Sequence, residues 1–452
     1  MSLISRTQED RRRKGLVKGG AGLDRAISPL VQRFPGSVQA HYHLVQLRHH
    51  RRGIERRQIL LEIHPGLQFR QLVEQALPQG ADALLQATVD AGHGQLGGAA
   101  AAEARPNIVV IYTDDQGYGD ISALNPQAKF PTPHLDRLAR EGIVFTDGHS
   151  ADTVCTPSRY ALLTGRYAWR TSLKSGVLHA DGPCLIARDR MTVASLLKGQ
   201  GYHTSIIGKW HLQMKFPGTI GQRDWTQPIT EGPTERGFDF YFGIPASMNY
   251  GVLTYVENTR VTDPPSLWTR KQQDKERNTI RFMPPYEAER QGPEDIEIAP
   301  SFRDDACLRI TTEKAVAYLA GRAPAAKAGT PFFLYLPLNS PHLPHSVAPE
   351  FVGQSRVGAY GDFMMETDHR VGQVLAALDE NGLTPNTLVF LSSDNGAETG
   401  YAPRLTQYQH ASSGEFKGGK RDIYEGGHRV PFLVRWPAKV KPAVSAALIG
   451  QF

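Results

Sequence analysis

Cys155-Thr156-Pro157-Ser158-Arg159, followed by Leu163-Thr164-Gly165-Arg166, sets a sulfur-bearing side chain beside a predicted helix start. Cys155 is expected just ahead of the first helical residue. Pro157 suits that first position, because its missing N–H would have had no partner there. The free backbone N–H groups and the helix dipole favour an anion beside the cysteine. Arg159 adds a permanent cation with a planar fork of donors about one turn further on. A lone cysteine in such a setting is more often structural. A reactive group facing an oxyanion pocket needs other residues to join it.

Two acidic signals do so. Asp114-Asp115 ends one apolar run, and Asp394-Asn395-Gly396 follows another. Taken singly, each reads as a turn or helix cap. Presented together from one edge of a sheet, they form an all-oxygen cage suited to Ca²⁺ or Mg²⁺. Cations and proton carriers accompany them: Gly208-Lys209-Trp210-His211, Ser340-Pro341-His342 with His345 three residues on, and Lys420 in a glycine-rich loop. Histidine can give or take a proton near neutrality. The loop around Lys420 lacks the spacing of a P-loop. One metal, a cysteine-derived nucleophile, an arginine, two lysines and two histidines suit a tetrahedral oxyanion. Hydrolysis of a sulfate or phosphate ester is the chemistry they serve.

Positioning these groups requires strands whose carboxyl ends meet. Strands are predicted over Asn107–Thr113, Ile143–Phe145, Thr204–Ile207, Phe332–Leu336 and Thr387–Leu391, with Val430–Arg435 closing the series. Helices are predicted over Thr132–Glu141, capped by Thr132, and over Met191–Lys198, Asp305–Leu319 and Phe363–Leu378. Their alternation argues for an α/β fold, a doubly wound, mostly parallel sheet flanked by helices. Ligands of such sheets bind beyond the carboxyl ends of the strands. Phe216–Pro300, rich in Pro, Gly and charge, reads as a long surface insertion at the pocket rim.

Composition narrows the class. A hydrophobic fraction of 40% and a charged fraction of 21% are those of a soluble globular chain. No apolar run reaches the roughly 20 residues of a bilayer span, so no transmembrane segment is expected. Cys155, Cys184 and Cys307 form neither a disulfide framework nor a zinc pattern. Residues 1–104 hold about 14 Lys and Arg against about 9 Asp and Glu, most of the net +6. They read as a basic, poorly ordered extension and linker, with 105–452 as the catalytic domain. Their basic clusters lack aromatic interleaving, so no nucleic-acid partner is expected. Met1 is followed by polar residues, and no signal peptide is recognisable there.

The CxPxR…LTGR element, with DDQGYGD, GKWH, SPH, SDNG and GGK…YEGG, resembles the type I, formylglycine-dependent sulfatases of the alkaline phosphatase-like superfamily. The similarity runs from about Arg105 to the C-terminus. It implies that a separate maturation enzyme oxidises Cys155 to Cα-formylglycine, whose hydrate attacks the sulfur of an aryl or carbohydrate sulfate. It implies Ca²⁺ (or Mg²⁺) held by Asp114, Asp115, Asp394 and Asn395, with residue 155 at the metal. Arg159 and Lys209 would stabilise the aldehyde hydrate, and Lys420 and His342 would grip the sulfate. Asp394 and His211 would accept protons. Export to the periplasm or medium is also implied. So is a small C-terminal subdomain, which a chain stopping at Phe452 would lack or shorten. A phosphate or phosphonate monoester hydrolase, or an inactive metal- and anion-binding relative, are the alternatives.

Overall fold

The computed structural model describes residues 105–452; the expectations for residues 1–104 lie outside the described residues. The first strand, β1 (Asn107–Asp114), is buried along its whole length. Its side chains alternate between two cores: Ile108, Val110 and Tyr112 enter one, Val109 and Ile111 the other. A strand with cover on both faces needs no polar alternation, and this one has none.

The elements that follow are α1 (Pro133–Glu141), β2 (Ile143–His149), α2 (Cys155–Thr164), α3 (Val193–Gly199), β3 (His203–Ile207) and β4 (Phe240–Gly243). Two short strands, β5 (Val256–Glu257) and β6 (Arg260–Val261), precede α4 (Cys307–Lys327) and β7 (Phe332–Pro341). The chain continues through α5 (Gly358–Glu380), β8 (Thr387–Ser393), α6 (Tyr401–Tyr408), α7 (Glu425–His428), β9 (Phe432–Arg435) and β10 (Ala443–Gly450). The ten strands form one sheet in the order β10-β2-β9-β8-β1-β7-β3-β4-β5-β6. Its centre is parallel: β1 lies between β8 and β7, with Ile108 opposite both Leu388 and Phe333. Helices α2 and α3 cover one face, while α1, α4 and α5 cover the other.

Four expectations need correction. Cys155 is the first residue of α2, capped by Val154, and Pro157 is the third. A proline anywhere in the first turn costs no hydrogen bond, so the motif tolerates either register. Thr132 does occupy the N-cap of α1, but its hydroxyl makes no capping bond to a helix N–H and engages the Asp136 and Ser122 side chains instead. Strand β9 runs antiparallel to β8 and does not close the sheet, because β10 adds beside β2 in parallel. The insertion, finally, is more than surface. Ile244, Met248, Leu253, Phe282 and Ile298 bury a small core together with Phe302 and Cys307, the first residue of α4.

Candidate active site at the strand ends

His345 apart, the residues singled out by type and spacing lie where β1, β3, β7 and β8 end, on loops facing them or, for Cys155 and Arg159, in α2. Asp114 closes β1, and Asp115 follows in a left-handed conformation (φ 69°). That turn aims the Asp115 N–H at Asp394 Oδ1, 3.1 Å away, joining the two acidic pairs across adjacent parallel strands. Asn395 Nδ2 donates to Asp115 Oδ1 at 2.8 Å.

Arg159, four residues after Cys155, shares its helical face. It is fully buried, and its Nε and a terminal nitrogen both donate to Asp394 Oδ2, at 3.0 and 2.7 Å. Its guanidinium also lies over the Tyr112 ring, 5.5 Å from the centroid. Lys209, from the turn after β3, donates to Asp114 Oδ2 at 2.5 Å. Gly208 makes that turn possible. Its φ is +135°, and a Cβ there would stand 2.0 Å from the Pro337 carbonyl oxygen. Lys420 Nζ lies 2.7 Å from Asp115 Oδ1, and His342 Nε2 lies 3.6 Å from Asp115 Oδ2. Three carboxylates thus meet three permanent cations within a few ångströms.

Burial sets the protonation states. The Cys155 thiol is pushed up to about 11 by burial, which outweighs Lys209 and Lys420. An unmodified thiol there is neutral at pH 7 and a weak nucleophile. Burial would raise Asp114 as well, but Lys209 and Arg159 together hold it below the usual carboxylate range. Asp394 goes the other way, raised by burial despite Arg159. Burial, reinforced by Lys209 and Arg159, keeps His211 well below ordinary histidine. His342 is likewise lowered by burial, against the pull of Asp115.

His211 shows its tautomer. Its Nε2 lies 2.9 Å from the Leu178 carbonyl and must donate there, so Nδ1 carries a bare lone pair with no partner. Asp114 Oδ1 and Asn395 Oδ1 are also buried acceptors without a hydrogen-bond donor. Buried polar atoms are rarely left so. Asp114, Asp115 and His342 offer ligand atoms within 4.8 Å of one another, and so do Asp114, Cys155 and Asp394. Oxygen donors dominate both groups, which fits a hard divalent cation.

Some placements were not legible beforehand. Gln116 is fully buried with both side-chain polar atoms unpartnered. Gln451 reaches back from the chain end to donate to Ser392 Oγ and the Ser393 carbonyl, at 2.7 and 2.8 Å. Tyr250, from the insertion, puts its ring 5.4 Å from that of His211. His345 stands apart. It packs on Tyr360, with Glu398 and Arg404 as its charged neighbours.

A family profile described as Sulfatase matches residues 106–452. The chain is 34% identical over 377 residues to an N-acetylgalactosamine-6-O-sulfatase of Bacteroides thetaiotaomicron, covering 77% of this chain and 70% of that protein. It is 32% identical over 347 residues to arylsulfatase A of Homo sapiens, covering 76% of this chain and 62% of that one. It therefore spans less than two thirds of the latter's length. A solved structure from the glycosaminoglycan-metabolism locus of Bacteroides thetaiotaomicron superposes with a TM-score of 0.65 at 32% identity, covering 76% and 75% of the two chains.

Proposed function

This chain belongs to the sulfatase family, and from that premise we propose that it is a sulfuric ester hydrolase cleaving an aryl or carbohydrate sulfate. The observation that carries this reading is the set of cations around Cys155. Arg159, Lys209 and Lys420 stand among the carboxylates at one strand-end cluster, with a hydrolase-suited lone pair on His211. Such preorganised charge stabilises an oxyanion at no reorganisation cost when the reaction occurs.

A separate maturation enzyme would oxidise Cys155 to formylglycine, whose hydrate would offer two geminal hydroxyls, one to attack sulfur as the alcohol leaves and the other to expel sulfate as the aldehyde returns. Asp114, Asp115, Asp394 and Asn395 would hold Ca²⁺ (Mg²⁺ being the alternative), with residue 155 beside it. When bound, the ion polarises the sulfate oxygens. The free acceptors Asp114 Oδ1 and Asn395 Oδ1 support that ligand set.

The chain's own groups then divide the work. Arg159 and Lys209 fix Asp394 and Asp114 and hold residue 155 in place. Lys420 supplies positive charge to the sulfate. Asp394, whose carboxyl is raised by burial, accepts the first proton. His342 Nδ1 donates to the Leu343 carbonyl, so Nε2 of the neutral ring is an acceptor, and Lys420 is the group of this pair that would give a proton to the leaving alcohol. His211 Nδ1, neutral and bare, takes the remaining hydroxyl proton.

Two measurements test this together: mass spectrometry of the Cys155 peptide after co-expression with a maturation enzyme, and sulfate release from 4-nitrocatechol sulfate. Conversion of Cys155 with turnover supports the reading. An unmodified thiol with no sulfate release, or faster turnover of the matching aryl phosphate, overturns it. For the metal, Asp394→Ala should lower calcium affinity more than about 100-fold, since losing even an outer-shell partner typically costs 10–100-fold.

A further inference from the structure

Beside the strand-end carboxylates, on the same edge of the sheet, the carboxyl end of β2 meets α7 in a second cluster with a different chemistry. His149 Nδ1 and His428 Nδ1 lie 2.9 Å apart. With a Glu425 carboxylate oxygen they form a group whose ligand atoms all fall within 4.8 Å of one another. Asp147 Oδ1 accepts from His149 Nε2 at 2.9 Å. That bond settles the His149 tautomer, leaving its Nδ1 lone pair directed at His428. Arg429 is the other charged group at the cluster, reaching Glu425 Oε2 at 3.0 Å and Asp147 Oδ1 at 3.2 Å. With neutral histidines, these residues carry one net negative charge.

We propose that His149, His428 and Glu425 bind a zinc-class transition-metal ion, oriented by Asp147, at a site distinct from the catalytic cage. Two imidazoles and a carboxylate are a zinc ligand set, whereas calcium prefers oxygen alone. A carboxylate accepting the second ring N–H of a ligating histidine is the usual outer-shell arrangement. The geometry is close to what a metal needs. Tetrahedral coordination at about 2.0–2.1 Å sets two ring nitrogens about 3.3 Å apart. The present 2.9 Å requires only a few tenths of an ångström of opening. His428 must release its Nδ1 proton and carry one on Nε2 instead, a tautomer exchange with water that leaves the ring neutral. Solvent water completes the fourth position.

The ion would act as a staple. The Ser150 N–H already donates to the His428 carbonyl at 2.8 Å, and the Gly396 N–H to the Gly427 carbonyl at 2.9 Å. A metal across β2 and α7 would therefore brace the backbone that supports Asn395-Gly396.

The test uses the full chain, stripped with a chelator and titrated with Zn²⁺ against a chromophoric competitor in excess Ca²⁺. Wild type should bind one zinc equivalent, and X-ray absorption of that zinc should show two imidazoles and no sulfur. His149→Gln and His428→Gln should each weaken binding more than 100-fold, and Asp147→Asn by about 10–100-fold. A Co²⁺ spectrum of the unmutated chain, tetrahedral and without thiolate charge transfer, makes the result independent of whether the variants fold. Zinc bound through sulfur, no zinc bound, or equal affinity in wild type and both histidine variants would each overturn the proposal.

Discussion

Arg281 in the insertion and Arg159 at the strand ends are both buried guanidiniums held by aspartates, yet their surroundings differ. Arg281 donates to Asp304 through Nε and one terminal nitrogen, and to Asp274 through the other. Asp304 also accepts from the Phe282 and Asp305 N–H groups and from Ser346 Oγ. No side-chain atom of Arg281, Asp274 or Asp304 lacks a partner. Around Arg159 the count is different. One of its terminal nitrogens, Asn395 Oδ1, His211 Nδ1 and both polar atoms of Gln116 are buried without one, and Asp114 Oδ1 has no hydrogen bond, only the other terminal nitrogen of Arg159 at 3.5 Å. A saturated network rigidifies what it joins, whereas an unsaturated one retains unused affinity for something not of the chain. The first cluster braces the insertion, and the second is set to receive a ligand.

Substitutions in the two clusters should therefore fail in opposite ways. The largest effect is expected for Cys155→Ala. It should reduce sulfate-ester turnover by at least about four orders of magnitude, as removal of a nucleophile does. Its unfolding free energy should stay within about 1 kcal/mol of wild type by chemical denaturation. Near-normal activity would remove residue 155 from the reaction.

Asp304→Ala should invert that result. Breaking a buried, saturated pair costs about 3–5 kcal/mol, read as a shifted urea midpoint, while kcat per folded molecule stays near wild type. An unmoved midpoint would erase the distinction between the clusters. Lys420→Ala comes next. Removing one preorganised cation should lower kcat about 10²–10³-fold, with a smaller effect on stability than Asp304→Ala. If stability fell more than activity, Lys420 would belong to the bracing class.

The smallest effect concerns His345, which joins neither cluster. Burial pulls its ring down to about 4, and its Nε2 is buried without a partner. The folded chain therefore keeps His345 neutral at pH values where the unfolded chain, near 6.5, takes up a proton. Stability from this residue is present above about pH 6.5 and lost as pH falls toward 4. The loss is at most about 3 kcal/mol, at roughly 1.4 kcal/mol per pKa unit. Thermal melts from pH 7.5 to 4.5 should fall less steeply for His345→Gln than for wild type. Parallel curves would place the acid sensitivity elsewhere.

Much of the candidate site was legible before any fold was known. Asp114-Asp115, Lys209 and Asp394-Asn395 each follow closely on an apolar run, and His342 comes a short Pro- and Ser-containing stretch after one, so a strand followed by chemistry was visible locally. A parallel sheet then brings such ends together. Lys420 was legible only as a cation in a glycine-rich loop, since no strand leads into it. Arg159 followed from helical spacing to Cys155. The exact helix start was less visible, because a proline in the first turn is compatible with more than one register.

The amino-acid sequence by itself determined which groups are available and which backbone elements carry them, because periodicity and turn chemistry act over a few residues. Tertiary structure alone decided their partners and protonation. Lys420 reaches Asp115 across 305 residues, and Gln451 reaches Ser392 across 59. The antiparallel β9, the added β10 and the buried core of the insertion also depend on long-range pairing. The upward shift of Asp394, the downward shifts of Asp114 and His211, and the lone pair left on His211 follow from burial beside specific charges. None of those conditions is a property of a residue and its neighbours in the chain.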